Sequence, residues 1–373
     1  MILIEEKVSE RLHAALENEA DLETEVNQED LFEGNTTLSV IIRCHKKERL
    51  QFLEEALFSL AIQYWENIEI VIVLQNGTEE FRQSVAGMVA NQPWHGNPQF
   101  QVLTIKIPAG MDGRSTLLNQ GMKSANGRYL AFLDDDDIVY QHGYASLIEQ
   151  LINSHAAVAV GGCRTAKVIK ESNCWFIETK ETPFIWGRTR YDLFRDNFIP
   201  IHSYVIDRAR INSSELYFDD EFPPLEDYDF LLRLSAKHDF DFSKLNVFVC
   251  EYRIHNTNSI PYTSDAPTES FTKHAQAREL IDERKKSLLC SVPLTELVEL
   301  QEMLLKQEQQ QLTTIQSTVG IDQAGEIAES KVFKRVLDSA GDQVYAFFEG
   351  YPRLERHLSN IAHYVWRAYK KRK

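Results

Sequence analysis

Residues 129–140 read YLAFLDDDDIVY, so the four carboxylates Asp134–Asp137 follow directly on an apolar run. Adjacent like charges repel, and a carboxylate held near a core is costly without a partner. A divalent cation makes such a cluster tolerable. Hard oxygen donors select Mg²⁺ or Mn²⁺, and Mg²⁺ in particular takes one or two carboxylates together with substrate phosphates. A solvated acidic turn explains a short charge run just as simply. Two further positions could carry chemistry. Glu226 and Asp227 in PPLEDYDFLLRL open a helix, where acids either complement the helix dipole or stand ready to take a proton. His255 in EYRIHNTNS lies just beyond a strand, as a packing residue or as a ligand.

The elements that must position these groups begin at residue 38. LSVIIRC and IEIVIVL are short continuous apolar runs, as in parallel strands buried on both faces, and the second closes at the turn signal Asn76-Gly77. Between them, RLQFLEEALFSLAIQ sets Leu50, Leu53, Leu57 and Leu60 on one helical face. FQVLTIKIP alternates as a third strand. A glycine-bounded loop then leads to a helix carrying Leu117, Leu118 and Met122, which Gly127 is expected to cap. YLAFL is the strand that delivers the aspartates. AAVAVGG, NCWFIETK and NVFVCEYRIH are further strands, and EDYDFLLRLSAKH is a helix. Strand alternating with helix predicts a parallel α/β sheet with right-handed crossovers, whose ligands bind at the carboxyl ends of strands.

Three regions are expected: an acidic amphipathic helix and linker over 1–37, the α/β domain over 38–265, and a helical extension over 266–373 that includes TELVELQEMLLKQEQQQL. Residues 1–37 hold eleven acids and two bases, so −9 of the net −16 sits there. No basic stripe suits a nucleic-acid partner. The terminal RAYKKRK, with Tyr364 and Trp366 before it, is a solvated helix end or a peripheral contact for an anionic membrane. No apolar stretch reaches the roughly 18 residues that span a bilayer. The opening MILIEEKVSE is too acidic for a signal peptide. Five scattered cysteines (44, 163, 174, 250, 290), never spaced as a metal knuckle, point to free thiols in a reducing cytoplasm.

The order of these parts resembles the family 2 glycosyltransferases of the GT-A fold. The likeness covers about residues 38–260. It rests on LSVIIRCHKKERLQFLEEALFSLAIQ, EIVIVLQNGT, GRSTLLNQGMKSANGRYLAFLDDDD, LEDYDFLLRL and YRIHNTNS. The resemblance implies a GT-A-like, Rossmann-type mixed sheet flanked by helices, and a metal-dependent inverting transferase. That enzyme would move a sugar from a nucleotide-diphosphate sugar, with a UDP-sugar as the expected donor, to a hydroxyl of a glycan or glycolipid.

By the same resemblance, Asp134, Asp135 and Asp136 match the DxD motif, its first acids on the ribose and Asp136 on the metal. Asp227 matches the catalytic base, with Glu226 beside it, and His255 matches a histidine that completes the metal shell in some members. His45 and Asn76 take positions facing the nucleotide base, and Arg114 lies in the loop approaching the nucleotide. Two departures stand out. Arg43-Cys44-His45-Lys46 replaces a Pro-Thr-Tyr-Asn-like stretch, and Asn76 replaces an aspartate, so it would accept from a base N–H through its uncharged amide oxygen.

Two other classes compete: a degenerate sugar-nucleotide-binding scaffold, favoured by RCHK and Asn76, and a nucleotidyltransferase, which would carry a glycine-rich basic loop after its first strand. The acceptor pocket is expected among residues 180–225, and Trp186, Tyr191 and His202 there serve either as sugar-facing rings or, the reading preferred, as ordinary core residues. Three roles are open to the C-terminal helices: covering the active site, forming a homo-oligomer or touching a membrane.

Overall fold

The computed structural model describes residues 32–290 apart from 172–173, 183–186, 223 and 256–267, together with residue 298. The expected helix at 3–18, Trp186, the Gln-rich helix and the basic C-terminus lie outside the described residues. So does nearly everything on which membrane contact or oligomerisation was assigned.

Among the described residues, nine strands form one sheet in the order β3-β2-β1-β4-β8-β6-β9-β5, with β7 paired to β6. In chain order these are β1 (Leu38–Cys44), β2 (Ile68–Gln75), β3 (Gln99–Ile105), β4 (Tyr129–Asp134), β5 (Ile138–Val139), β6 (Val158–Glu171), β7 (Cys174–Glu181), β8 (Tyr204–Asp207) and β9 (Phe240–Ile254). The helices are α1 (Leu50–Ala61), α2 (Glu79–Ala90), α3 (Arg114–Ser124), α4 (Gly143–Asn153), α5 (Arg190–Arg195), α6 (Glu226–Lys237) and α7 (Thr268–Ser287). Strands β3-β2-β1-β4 are parallel, as the apolar runs require. The sheet turns mixed at β8, a four-residue strand antiparallel to both β4 and β6.

Because β1 to β4 are covered on both faces, alternate residues serve two cores. Leu38, Val40 and Ile42 of β1 pack toward Leu53 and Leu57 of α1, Val85 of α2 and Leu147 of α4. Ile41 packs into the opposite core with Leu117 and Leu118 of α3 and Leu231 and Leu232 of α6. Each fully buried Leu of this kind contributes about 1.5–3 kcal/mol. Helix α7 joins that second core through Ile281. The compact unit that contains the sheet accordingly runs through Ser291, past the boundary expected at 265, and the remainder from Val292 forms a second unit.

Gly127 does not cap α3, which ends at Ser124 with Ala125 as its C-cap. A Cβ at Gly127 would lie 2.5 Å from the Thr37 carbonyl oxygen, so the glycine is needed where β1 and β4 enter the sheet side by side. No helix among the described residues is long and apolar enough to cross a membrane.

Candidate active site

Chain connections leave β1 in one direction, through β2 to β3, while β4 lies on its other side. The strand order therefore reverses between β1 and β4, and the crevice outside the carboxyl ends of strands at such a switch point is the usual ligand position in these sheets. Arg43 and Asp134 stand opposite one another at that point in the β1–β4 register. The aspartates leave β4 directly into it.

Each aspartate meets a basic side chain, and Asp135 and Asp136 share one. The Arg43 guanidinium donates Nε–H to Asp134 Oδ1 at 2.7 Å and, on its other arm, donates to Glu226 Oε1 at 2.7 Å. Arg49, in the 3₁₀ turn before α1, donates to Asp135 Oδ1 at 2.6 Å and reaches Asp136 Oδ2 at 2.5 Å. His255 places Nε2 3.2 Å from the same Asp136 oxygen. Asp137 accepts from the Arg253 backbone N–H at 2.7 Å and faces His202 Nδ1 at 3.2 Å. The cluster is thus buried and neutralised within the chain; a solvated acidic turn it is not. Asp135, Asp136 and Asp137 are all buried.

The second acidic pair arrives from α6. Leu225, the residue before this helix, has φ 72°, a left-handed conformation that costs a branched apolar residue on the order of 1–3 kcal/mol. The strained turn brings Glu226 back over the β1–β4 junction, where Arg114 Nη1 also approaches it at 3.6 Å. Leu231, Leu232 and Leu234 anchor the helix in the core. Asp227, half-buried, accepts from the Tyr228 N–H at 2.8 Å and from Asn197 Nδ2 at 3.4 Å. Burial, and after it the neighbouring Glu226, pushes the Asp227 carboxyl up to about 6. Burial also works against charge on Asp136, but bonds from His255 and Arg49 outweigh it and hold that carboxyl below the usual range.

The expected site residues therefore converge, with two qualifications. Asn76 sits at φ 52°, which asparagine tolerates, and both ends of its amide engage Ile107: Oδ1 accepts from the N–H at 2.9 Å and Nδ2 donates to the carbonyl at 3.0 Å. Its side chain holds the loop leaving β3. Arg114 pairs with Asp112 at 2.7 Å as well as facing Glu226. His45 is exposed at the rim. Desolvation and the charges of Arg49, Lys46 and Arg43 lower its pKa, which keeps the ring neutral. Of the residues expected at the acceptor pocket, His202 is 1% exposed and turned to Asp137, so it lines no open surface. Tyr191 is half-buried, with its ring against Phe194.

Arg43 and Arg49 carry no weight in the sequence reading beyond the unusual RCHK stretch. Their charge in a segment leaving a buried strand was the available signal.

Acids, arginines and a histidine that meet at the switch point of an α/β sheet form a candidate ligand site. Residues 39–207 match the family model described as Glycosyl transferase family 2. The match spans β1 to β8 and covers Asp134–Asp137; Glu226, Asp227 and His255 lie beyond it. A Haemophilus influenzae protein described as an uncharacterized glycosyltransferase is 26% identical over 208 residues, which is 53% of this chain and 60% of its own length. A Methanocaldococcus jannaschii protein so described is 21% identical over 227 residues, 61% of this chain and 74% of its own. The crystal structure of Staphylococcus aureus TarS superposes with a TM-score of 0.44 at 16% identity, covering 66% of this chain and 39% of TarS. The chain thus spans under two thirds of the Haemophilus relative's length.

Proposed function

We propose that this chain is an inverting glycosyltransferase that takes a sugar from a nucleotide-diphosphate donor, a UDP-sugar by preference, and delivers it to a hydroxyl of a glycan or glycoconjugate. The observation that carries the reading is the Arg43 fork. It holds Asp134 and Glu226, 92 positions apart in sequence, on one side of the crevice. This brings the acids of the strand exit, which lie within the Glycosyl transferase family 2 match, beside Asp227, which lies beyond it.

In this account the acceptor oxygen bonds to the anomeric carbon while the bond from that carbon to the phosphate oxygen breaks. The electron pair leaves with the diphosphate, and the acceptor proton passes to Asp227. A carboxylate so placed contributes about 10²–10⁴-fold. Attack opposite the leaving group inverts the anomeric centre. Asn197 and the Tyr228 N–H hold the Asp227 carboxylate in orientation, and the buried face of α6 keeps its backbone fixed.

A divalent ion fits the residues present. Asp136 Oδ2 and His255 Nε2 lie 3.2 Å apart, close to the roughly 3 Å that separates two neighbouring ligands of an octahedral ion with bonds of about 2.1 Å. The oxygen–imidazole pair suits Mg²⁺ or Mn²⁺, Mn²⁺ taking the nitrogen more readily. Arg49 would have to release Asp136 to admit the ion. When bound, the ion supplies charge neutralisation for the leaving diphosphate. Asp136→Ala is expected to abolish Mn²⁺-dependent nucleotide binding, and His255→Ala to weaken it less. Titration calorimetry showing full Mn²⁺-dependent affinity in Asp136→Ala would remove Asp136 from the ion's shell.

A thermal-shift panel of UDP-, GDP-, dTDP- and CMP-sugars, with and without Mn²⁺, tests the donor assignment. A UDP-sugar should give the largest rise, and an absence of any shift would refute it. The pH profile of kcat gives a second check. The base must be ionised, so the rate should fall as pH drops through about 6, the value to which burial and Glu226 push Asp227. An acid limb near 4 would assign the base to a carboxylate that burial leaves unshifted.

A further inference from the structure

Two of the scattered cysteines, Cys163 and Cys250, meet at a second polar centre, joined to the aspartate cluster through His202 and Asp137. Cys163 lies on β6 and Cys250 on β9, and the two are register partners in this parallel pair. The pairing slips between Gly161, Gly162 and Cys163, an irregularity of the kind that re-aims a side chain. Gly162 is required there, since a Cβ would lie 2.5 Å from the Leu245 carbonyl oxygen. The turn before β8 supplies His202 and is tied to β6 by the Gly161 N–H donating to the Ser203 carbonyl at 2.8 Å. One nitrogen of His202 and the two Sγ atoms all lie within 4.8 Å of one another. All three residues are at most 1% exposed.

We propose that Cys163, His202 and Cys250 form a structural site for one thiophilic divalent ion of the zinc class. Three observations support it together. The donor set, two thiols and an imidazole, is the soft combination such ions select. Cys163 Sγ and His202 Nε2 are 3.6 Å apart. A tetrahedral ion with bonds of about 2.3 Å to sulfur and about 2.05 Å to nitrogen sets that edge at about 3.6 Å. Finally, His202 turns its other nitrogen, Nδ1, to Asp137 Oδ2 at 3.2 Å. A carboxylate behind the ring is the usual support of a metal-bound histidine, fixing the tautomer that leaves Nε2 for the ion.

A water molecule completes the tetrahedron. With every ligand buried, the ion's role is to clamp β6, β9 and the β8 turn, and through Asp137 to hold the turn that carries Asp136. On binding, each thiol gives up its proton to solvent and forms a metal–sulfur bond, with no redox change.

The test uses the full chain without an affinity tag, purified from zinc-supplemented culture and dialysed against metal-free buffer. Zinc should be found at about one per chain. Exchange for Co²⁺ should give an intense near-ultraviolet thiolate-to-cobalt band, and Cys44→Ser, which removes the thiol beside Asp135 at the crevice, should leave that band in place. The Cys163→Ser/Cys250→Ser double variant should lose both the zinc and the band, while Cys290→Ser, an exposed thiol, should keep them. Asp137→Asn should weaken zinc binding about 10–100-fold. The wild-type spectrum decides even if the double variant does not fold. A folded wild-type chain that holds neither metal, or that binds Co²⁺ with no thiolate band, overturns the proposal.

Discussion

Asp227→Asn should lower kcat by about 10²–10⁴-fold while donor affinity stays close to that of the wild type. The asparagine keeps the shape and the oxygen that accepts from the Tyr228 N–H, and loses only the capacity to take a proton. Stability should move the other way. The fold raises this carboxyl from 3.8 to about 6, so the folded state disfavours its ionised form. A carboxyl raised on folding erodes stability as pH rises from about 4 to about 6, and the cost persists above that. An uncharged asparagine escapes it, so the variant should melt at neutral pH no lower than the wild type. A residue that lost activity through misfolding would show the reverse, a lower melting temperature with weakened donor binding.

The largest stability effect is expected at Arg43. Its guanidinium joins Asp134 to Glu226, and Glu226 is nearly inaccessible to solvent. Burial works against the arginine's charge, but the two carboxylates hold its pKa well above the ordinary value. Arg43→Met leaves both acids short of their cation, and breaking one partner out of a buried pair costs about 3–5 kcal/mol. For a domain of this size that is a drop in melting temperature of about 6–20 °C. Arg43→Lys should recover only part, because an ammonium cannot fork between two carboxylates. Adding Glu226→Gln to Arg43→Met should restore some of the loss. A melting temperature unchanged in Arg43→Met would mean that Arg114, the other cation at Glu226, suffices alone.

How far the sequence alone reaches depends on the range of the signal. LSVIIRC is β1 to the residue, and EDYDFLLRLSAK is α6, because a run buried on both faces and a single apolar stripe are each written locally. The four-residue β8 carries no such pattern; it exists because β4 and β6 flank it. Gly127 reads as a cap by its place after a helix, whereas its reason is a backbone across the sheet. The aspartate cluster was legible as chemistry, and its neutralisation was not. Arg49 looks like one of several charges in HKKER until the fold lays it across Asp135 and Asp136. Cysteines 87 positions apart share no spacing rule, and only the β6–β9 register makes them neighbours.

The central claim is turnover of a sugar nucleotide at the β1–β4 crevice, and release of nucleoside diphosphate from a UDP-sugar by the full chain tests it most directly. The account predicts release that needs Mn²⁺ or Mg²⁺, stops with a chelator, and falls about 10²–10⁴-fold in Asp227→Asn. Tight binding of the same UDP-sugar with no diphosphate released, or release of pyrophosphate in its place, would contradict it.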